Sequence, residues 1–225
     1  MFTTRFQAWV RRNAQRLALF LGRLPITPNQ VTVAGSLFTF GAAVLIGFGL
    51  LQWAGLVLAV SGTFDILDGA LARATKRSYP YGAFLDSTFD RYSEGAVYIG
   101  LAVYFLGRDD SAMRWAVLAC LLALAGSFLV SYVRARAQSL GFKCDSGIFA
   151  RPERVVVTVA GLVIGGSLGP PAASWVLVGV VVLLAVLTNF TAVQRILEVW
   201  GQARAQRRAR EAAAKAPARG ETSRP

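Results

Sequence analysis

The chain carries no charged residue between Val31 and Phe64. One membrane-crossing helix needs about 20 apolar residues, so this run is too long for one crossing and fits one crossing plus most of a second. The whole sequence is 55% hydrophobic and has a mean hydropathy of +0.49, which is typical of a membrane protein and not of a soluble core. The sequence therefore predicts an all-α integral membrane protein.

Apolar segments along the chain predict six transmembrane helices between about residues 28 and 198, within one membrane domain that covers residues 1–200. Residues 2–22 have an apolar face and an arginine-rich face, which indicates an amphipathic helix in the membrane interface. Residues 201–225 are rich in Ala, Arg and Gln and then in Pro, Gly and Ser. They are predicted to form a basic cytoplasmic tail, which starts as a short helical extension and frays into disorder.

Thr27, Pro28 and Gln30 predict the start of the first span. A Thr cap, a Pro at the first helical position and a Gln three residues after the cap together form a capping box. With six spans both termini lie on one side, and most of the basic residues fall on that side. The positive-inside rule therefore places the termini in the cytoplasm.

The 24 basic residues outnumber the 12 acidic ones and give a formal net charge of +12. Topology and attraction to anionic lipid account for most of this charge. The sequence contains no basic groove interleaved with aromatic residues, so nucleic acid is not expected as a partner.

Five of the twelve acidic residues fall in one short stretch between apolar segments. They are Asp65, Asp68, Asp86, Asp90 and Glu94. On helices, spacings of three and four residues place each pair of aspartates on one face, and a turn near Tyr79 and Pro80 lets the two helices lie antiparallel so that the pairs converge. Four facing carboxylates repel one another unless cations lie between them, and divalent metals that bind oxygen are the simplest such cations.

The acidic stretch admits three interpretations. It could form a structural ion-pair network with Arg73, Lys76 and Arg91, but the acids outnumber the bases nearby. It could form a cation or proton pathway, but the outer halves of the spans contain no polar relay. Metal-assisted phosphoryl chemistry is favoured, because two divalent ions held by such carboxylates can clamp a pyrophosphate. The chain has no histidine, so acid–base chemistry falls to carboxylates.

The same residues carry a resemblance to a known family. The pattern reads Asp65-x-x-Asp68-Gly69-x-x-Ala72-Arg73, then eight residues, then Gly82-x-x-x-Asp86-x-x-x-Asp90. It matches the signature of the CDP-alcohol phosphotransferase family at every fixed position, and the amphipathic N-terminal segment, the TPNQVT stretch and the six spans are similar too. The resemblance implies an integral-membrane enzyme, usually a homodimer, that moves a phosphatidyl group from a CDP-linked lipid to an alcohol and releases CMP.

Matched position by position, the resemblance implies roles for individual residues. The expected ligands of two Mg²⁺ ions, with Mn²⁺ as an alternative, are Asp65, Asp68, Asp86 and Asp90. Asp90 is also the expected catalytic base for the acceptor hydroxyl. The residues expected to contact the CDP-lipid are Asn29, Gln30, Val31, Thr32, Gly69 and Arg73. The family often has Ser or Thr where this chain has Tyr79, so one nucleotide contact lacks its usual residue.

Three arginines lie at the expected cytoplasmic ends of the last three spans. They could anchor the chain by the positive-inside rule or bind a phosphate dianion of the acceptor, and their spacing alone does not choose between the two. The stretches SYVRARAQSLGF, GIFARPER and AVQRILEVW resemble phosphatidylinositol phosphate synthases and the similar archaeal ether-lipid enzymes. In that branch of the family, the resemblance implies an inositol phosphate bound by Ser131, Arg134, Arg154 and Arg195. Lys is common there at the position of Arg134.

The sequence thus predicts transfer of a phosphatidyl group from CDP-diacylglycerol to 1D-myo-inositol 3-phosphate, in the plasma membrane of a prokaryote and at its cytoplasmic face. One alternative is another transferase of the family, such as a phosphatidylglycerophosphate or archaetidylinositol phosphate synthase. The other alternative is a cation or proton carrier that uses the same acids.

Overall fold

A computed structural model describes residues 26–75, 79–108, 110–144 and 146–215. These described residues form six α-helices and no strand. The helices are α1 Pro28–Gly47, α2 Leu51–Ala74, α3 Pro80–Leu106, α4 Ala112–Ser139, α5 Arg151–Leu168 and α6 Ala172–Lys215. The all-helical fold expected from the sequence is confirmed. The interfacial helix expected at residues 2–22 lies outside the described residues.

The start of α1 has the predicted capping box. The Thr27 hydroxyl accepts a hydrogen bond from the Gln30 amide at 3.3 Å, and the Thr27 amide donates to the Gln30 side-chain oxygen at 2.9 Å. Pro28 occupies the first helical position, where its missing N–H costs nothing. After α1, Gly49 turns the chain with a φ of +76°, a conformation that favours glycine. α1 is therefore fixed at both ends by local sequence.

Four of the described helices, α1, α2, α4 and α6, are long and apolar enough to cross a membrane. The other two differ from them in charge. α3 contains Asp86, Asp90, Arg91 and Glu94, and the first turn of α5 contains three charged residues. Charged side chains are expensive in the hydrocarbon region of a bilayer. α3 and α5, the two helices that do not meet the length and hydropathy of a membrane span, thus bring charge into the bundle, as the two aspartates on α2 also do.

The last helix continues beyond the span expected for it. The span was expected to end at Arg195 and to be followed by a short helical extension, and α6 continues without a break to Lys215. Residues 201–215 are thus the expected helical extension, and it is continuous with the span. The physical reason is composition, because Ala, Arg and Gln all have high helix propensity. Residues 216–225 lie outside the described residues.

The main helix contacts close a ring. α1 packs on α2 and α3, α2 also packs on α5, α3 also packs on α4, and α4 and α5 both pack on α6. The core inside this ring is apolar, and its largest fully buried side chains include Ile46, Leu101, Leu162, Leu177 and Leu184. Short connections make successive helices antiparallel. One end of the ring therefore collects the C-terminal part of α2 and the N-terminal parts of α1, α3 and α5.

Gly100 sets the close packing of α3 against α1. A Cβ atom at this position would lie 2.4 Å from the carbonyl oxygen of Ala43. This distance is below any normal contact, and the obstacle is backbone that cannot rotate away. Only glycine therefore allows α3, which carries two of the aspartates, to lie at this distance from α1.

We expect Gly100→Ala to lower the free energy of unfolding by about 1–3 kcal/mol, the usual cost of overpacking a tight contact. Thermal unfolding of the purified protein in detergent would measure the change. Gly41→Ala is the matched control. Gly41 lies on α1, the helix that Gly100 packs against, and nothing lies within 4 Å of a Cβ atom at Gly41. Equal unfolding temperatures for the two variants would contradict the close-contact argument.

Candidate active site

The four signature aspartates face one another across α2 and α3. Asp65 and Asp68 lie on α2, and Asp86 and Asp90 lie on α3. Asp65 and Asp86 are each within electrostatic range of the other three carboxylates. The two helices thus bring together the acids that the sequence places in two separate pairs.

Arg151, the first residue of α5, bridges the two aspartate pairs. Its Nη1 lies 2.5 Å from Oδ2 of Asp65, and its Nη2 lies 2.9 Å from Oδ1 of Asp90. The sequence predicted no site role for Arg151, which is one of the basic residues on the expected cytoplasmic side. A signal for it was present, because Arg151 and Arg154 are three residues apart at the start of a helix and share a face.

Asp68 is the most buried of the four aspartates. Its side chain accepts a hydrogen bond of 2.7 Å from the hydroxyl of Thr32 on α1, and the residue is only 6% exposed. Within the described residues, no cation lies at ion-pairing distance from Asp68 or Asp86. The cluster therefore carries more negative charge than Arg151 compensates.

The cluster has the chemistry of a divalent-metal site. Carboxylate oxygens are the ligands that Mg²⁺ and Mn²⁺ prefer, and the uncompensated negative charge favours a further cation. No three acidic side chains of the described residues converge on one point as a preformed metal site. Arg151 spans two of the four carboxylates, so metal binding at all four requires this side chain to move.

A cleft of about 210 Å³ opens beside Asp68 and Asp86. Its other lining residues come from the start of α1, the end of α2 and the start of α3, and include Asn29, Thr32, Gly69, Arg73, Tyr79 and Gly82. Gly69 and Gly82 have no side chain, so the cleft wall leaves the backbone accessible at these two positions. A Cβ atom at Gly82 would lie 3.1 Å from the Asn29 side-chain oxygen, and one at Gly69 would lie 3.4 Å from Arg73.

Two residues of the segment expected to contact the CDP-lipid do not line this cleft. The Gln30 side chain closes the helix cap of Thr27. Val31 is buried and packs with Ala70 and Leu71 in a small apolar cluster. Asn29 and Thr32, which flank them, do line the cleft.

A second and much smaller cavity, of about 40 Å³, lies beside Asp65. Asp65 and Arg151 line it together with Glu94 and Arg154. Arg154 is 4% exposed and forms two bonds with Glu94, 2.6 Å from Nε to Oε1 and 3.1 Å from Nη2 to Oε2. This bidentate pair fixes the guanidinium against the cavity wall. Glu94 is thus explained as a partner for Arg154 and not as a fifth member of the aspartate cluster.

The remaining two arginines expected to bind the acceptor lie close to Arg154. Arg195 on α6 is within electrostatic range of both Arg134 and Arg154. It is 6% exposed and donates hydrogen bonds to the carbonyl oxygens of Ser146 at 2.9 Å and Val130 at 2.7 Å. Ser131 follows Val130 on α4 and is half-buried. Three helices therefore bring three positive charges together, but of these residues and Ser131 only Arg154 lines the second cavity.

Comparison with known proteins identifies the class of protein that this arrangement belongs to. Residues 25–200 match the CDP-alcohol phosphatidyltransferase family. This range covers most of the chain and all four aspartates, so the protein belongs to that family of membrane enzymes. The resemblance drawn from the spacing of the aspartates and glycines is confirmed.

Two curated relatives show which members of the family this chain is similar to. An archaetidylinositol phosphate synthase of Methanothermobacter thermautotrophicus is 38% identical over 196 residues, which cover 87% of this chain and 92% of the relative. A phosphatidylinositol phosphate synthase of Mycobacteroides abscessus is 37% identical over 185 residues, which cover 80% of each chain. The chain is thus about equally similar to an ester-lipid and to an ether-lipid enzyme.

Solved structures show the same fold. The phosphatidylinositol phosphate synthase PgsA1 of Mycobacterium tuberculosis with CDP-DAG bound superposes with a TM-score of 0.74 and is 35% identical, over 84% of this chain and 94% of that one. The same enzyme in complex with manganese and citrate gives a TM-score of 0.75 and 34% identity, over 83% and 88% of the two chains. The helical ring therefore matches an enzyme whose structures contain a CDP-lipid and a divalent metal.

The Glu94–Arg154 pair makes a stability prediction that does not depend on activity. Glu94→Gln leaves the buried Arg154 without its counter-charge, so we expect the free energy of unfolding to fall by about 3–5 kcal/mol. Thermal unfolding in detergent would measure it. The matched control is Glu211→Gln, since the Arg207–Glu211 pair on α6 is 82% and 55% exposed and exposed pairs contribute less than about 1 kcal/mol. Similar shifts in both variants would show that Glu94 does not hold Arg154.

Proposed function

We propose that this protein transfers a phosphatidyl group from CDP-diacylglycerol to 1D-myo-inositol 3-phosphate and releases CMP. The observation that carries the proposal is the position of the carboxylates between two cavities. Asp68 and Asp86 line one cavity, and Asp65 lines the other. A two-substrate transfer needs this arrangement, because donor and acceptor must meet at one centre from different sides.

The cleft beside Asp68 is proposed as the donor site. Arg73 supplies a positive charge for the phosphates, and Asn29 and Thr32 supply polar groups at the opposite wall. Gly69 lets the nucleotide approach the backbone closely. Gln30 and Val31 support this wall, the first by capping α1 and the second by packing α1 on α2.

The four aspartates, Asp65, Asp68, Asp86 and Asp90, are proposed to hold two Mg²⁺ ions, or Mn²⁺. When bound, such ions neutralise charge on the pyrophosphate and on the phosphorus under attack. The support on this chain is the donor set, four hard carboxylate ligands with one paired cation. The manganese complex of the similar mycobacterial enzyme supports a divalent ion of some kind.

The proposed reaction is a direct displacement. The acceptor hydroxyl oxygen forms a bond to the lipid-side phosphorus of the donor, and the bond from that phosphorus to the oxygen of CMP breaks. The hydroxyl proton passes to the carboxylate of Asp90, which shares the Arg151 guanidinium with Asp65, a residue that lines the second cavity. Arg151 is paired with that carboxylate and must leave it before Asp90 can take a proton.

The second cavity is proposed as the acceptor site. Arg154 lines it, Arg195 lies within electrostatic range of Arg154 and of Arg134, and three such charges suit a phosphate dianion better than an uncharged alcohol. Ser131 adds a hydroxyl on α4. Glu94 and the carbonyl groups bonded to Arg195 hold two of these guanidinium groups in position. A guanidinium has five N–H donors, so both retain donors for a substrate.

We also propose that all six helices cross the membrane, with the site and both termini in the cytoplasm of a prokaryote. The charges of α3 and α5 cluster at one end of each helix and face partners inside the ring, which removes the main objection to their crossing. The homodimer is proposed from the family resemblance. The test is the molar mass of the purified protein after subtraction of the bound detergent. The mass of one protomer would contradict the homodimer.

Cysteine labelling in intact cells tests the crossing of α3 and α5. We expect single cysteines at Asp110 and Leu168 to react with an impermeant maleimide from outside, and those at Tyr79 and Ser139 to react only after lysis. Tyr79 and Asp110 flank α3. Ser139, at the end of α4, and Leu168, at the end of α5, lie on either side of the α5 crossing. All four positions are exposed in the bundle. The two native cysteines, Cys120 and Cys144, are buried and would be replaced by Ala. Equal labelling at both ends of either helix would contradict its crossing.

The test of function is CMP release from CDP-diacylglycerol by the purified protein with Mg²⁺. Inositol 3-phosphate, free inositol, glycerol 3-phosphate and serine would be offered in parallel, and we expect release only with inositol 3-phosphate. EDTA should stop the reaction. Asp90→Asn is the inactive control variant. We expect it to release no CMP while it still binds CDP-diacylglycerol. Release with another acceptor would leave the family chemistry intact and reject the acceptor assignment.

A second arm of the same assay separates the two cavities. Arg195→Gln should raise the KM for inositol 3-phosphate by at least about tenfold, as expected when a charge-assisted hydrogen bond to phosphate is lost, with little change for CDP-diacylglycerol. Arg73→Gln should do the reverse. Equal effects of either variant on both substrates would reject the division into a donor and an acceptor cavity.

A further inference from the structure

Arg151 binds the same groups that are assigned to the divalent ions. Its guanidinium contacts Asp65 and Asp90 from the start of a third helix. Positive charges repel at such short distances, so a divalent ion and the Arg151 guanidinium exclude each other from these two carboxylates. Arg151 therefore holds the cluster together without an ion and has to leave it when an ion binds.

The cavity next to the cluster offers Arg151 a second position. Arg151 lines this cavity with Arg154, and its side chain is 28% exposed. Its Nε is buried and has no hydrogen-bond partner within the described residues. A buried donor without an acceptor is unfavourable, so the present position does not satisfy the side chain. An anionic group in the cavity would supply the missing acceptor.

The neighbouring arginines do not share this property. Arg91 donates to the carbonyl oxygen of Ser87 on its own helix, and Arg154 is held by Glu94. Among the described residues, Arg151 is the only cation that forms an ion pair with any of the four aspartates, and it pairs with two of them, Asp65 and Asp90. It is thus the one arginine in this part of the chain whose position an ion at the cluster would change directly.

We propose that Arg151 is a ligand for the acceptor's phosphate group and that the aspartate cluster retains it until a divalent ion binds. The inference rests on the proposed function, because it takes the second cavity as the acceptor site. Ion binding frees the guanidinium from Asp65 and Asp90, and the side chain turns into the cavity beside Arg154. The consequence is an order of binding in which the metal comes first and the phosphorylated alcohol second.

The first measurement is Mn²⁺ binding by the full-length protein without substrates, followed by electron paramagnetic resonance of the free ion. Arg151→Gln removes the competing charge, so we expect it to bind Mn²⁺ about tenfold more tightly than the wild type, within the usual range for coupled sites. Arg151→Lys keeps one charge but cannot bridge two carboxylates, so its affinity should lie between the two. Arg207→Gln, which removes a paired arginine from the exposed part of α6, is the matched control and should change nothing.

The second measurement is calorimetric titration with inositol 3-phosphate, glycerol 3-phosphate and free inositol, in Mn²⁺ and in EDTA. The wild type should bind a phosphorylated alcohol much more tightly in Mn²⁺. Arg151→Gln should bind it weakly in both conditions. Thermal unfolding in EDTA shows whether each variant is folded, and Arg151→Lys replaces Arg151→Gln if the latter is not.

The outcomes separate this inference from the proposed function. Equal or weaker Mn²⁺ binding by the folded variants overturns the exchange. Unchanged affinity of Arg151→Gln for a phosphorylated alcohol, or no binding of either one by the wild type, overturns the role as a phosphate ligand. Binding of glycerol 3-phosphate instead of inositol 3-phosphate, lost in Arg151→Gln, supports the role of Arg151 and rejects the acceptor named in the proposed function.

Discussion

Carboxylates inside an apolar helix bundle must be compensated, and the structure follows from how this is done. The bridge from Arg151 to Asp65 and Asp90 joins three helices at one point. The hydroxyl of Thr32 on a fourth helix satisfies Asp68. Because uncompensated charge is far more costly in such a bundle than in water, these polar contacts fix which ends of α1, α2, α3 and α5 meet. The apolar core fills the remaining space but does not choose that register.

The same constraint explains why α3 and α5 are not among the four helices long and apolar enough to cross a membrane. Each contributes charge to the ring's interior, where two ion pairs join them, Asp90 with Arg151 and Glu94 with Arg154. A buried ion pair contributes little to net stability compared with apolar packing. Its retention here is explained by position, because the Glu94–Arg154 pair lies in the wall of a cavity that adjoins the aspartates. Stability and site geometry thus depend on the same residues.

The sequence predicted the features that depend on local spacing. The capping box of Thr27 and the facing of Asp65 with Asp68 need only the period of a helix, and the family followed from the fixed spacing of eight residues. It did not predict the partners of these acids. Arg151 pairs with Asp65 across 86 residues of sequence, and Arg154 pairs with Glu94 across 60. Such pairing depends on which helices are neighbours in the ring, which no local pattern encodes.

The end of α6 illustrates the same limit and has a structural consequence. Composition predicted a helical extension after the last span, but not that this end of α6 contacts the loop between α4 and α5. Gln202 exchanges hydrogen bonds of 3.1 and 2.6 Å with the backbone of Lys143, and Ser146 bonds to Glu198. Arg195 bonds to the Ser146 carbonyl in the same loop. This loop ends at the first residue of α5. The end of α6 thus contacts the loop that leads into the helix carrying Arg151.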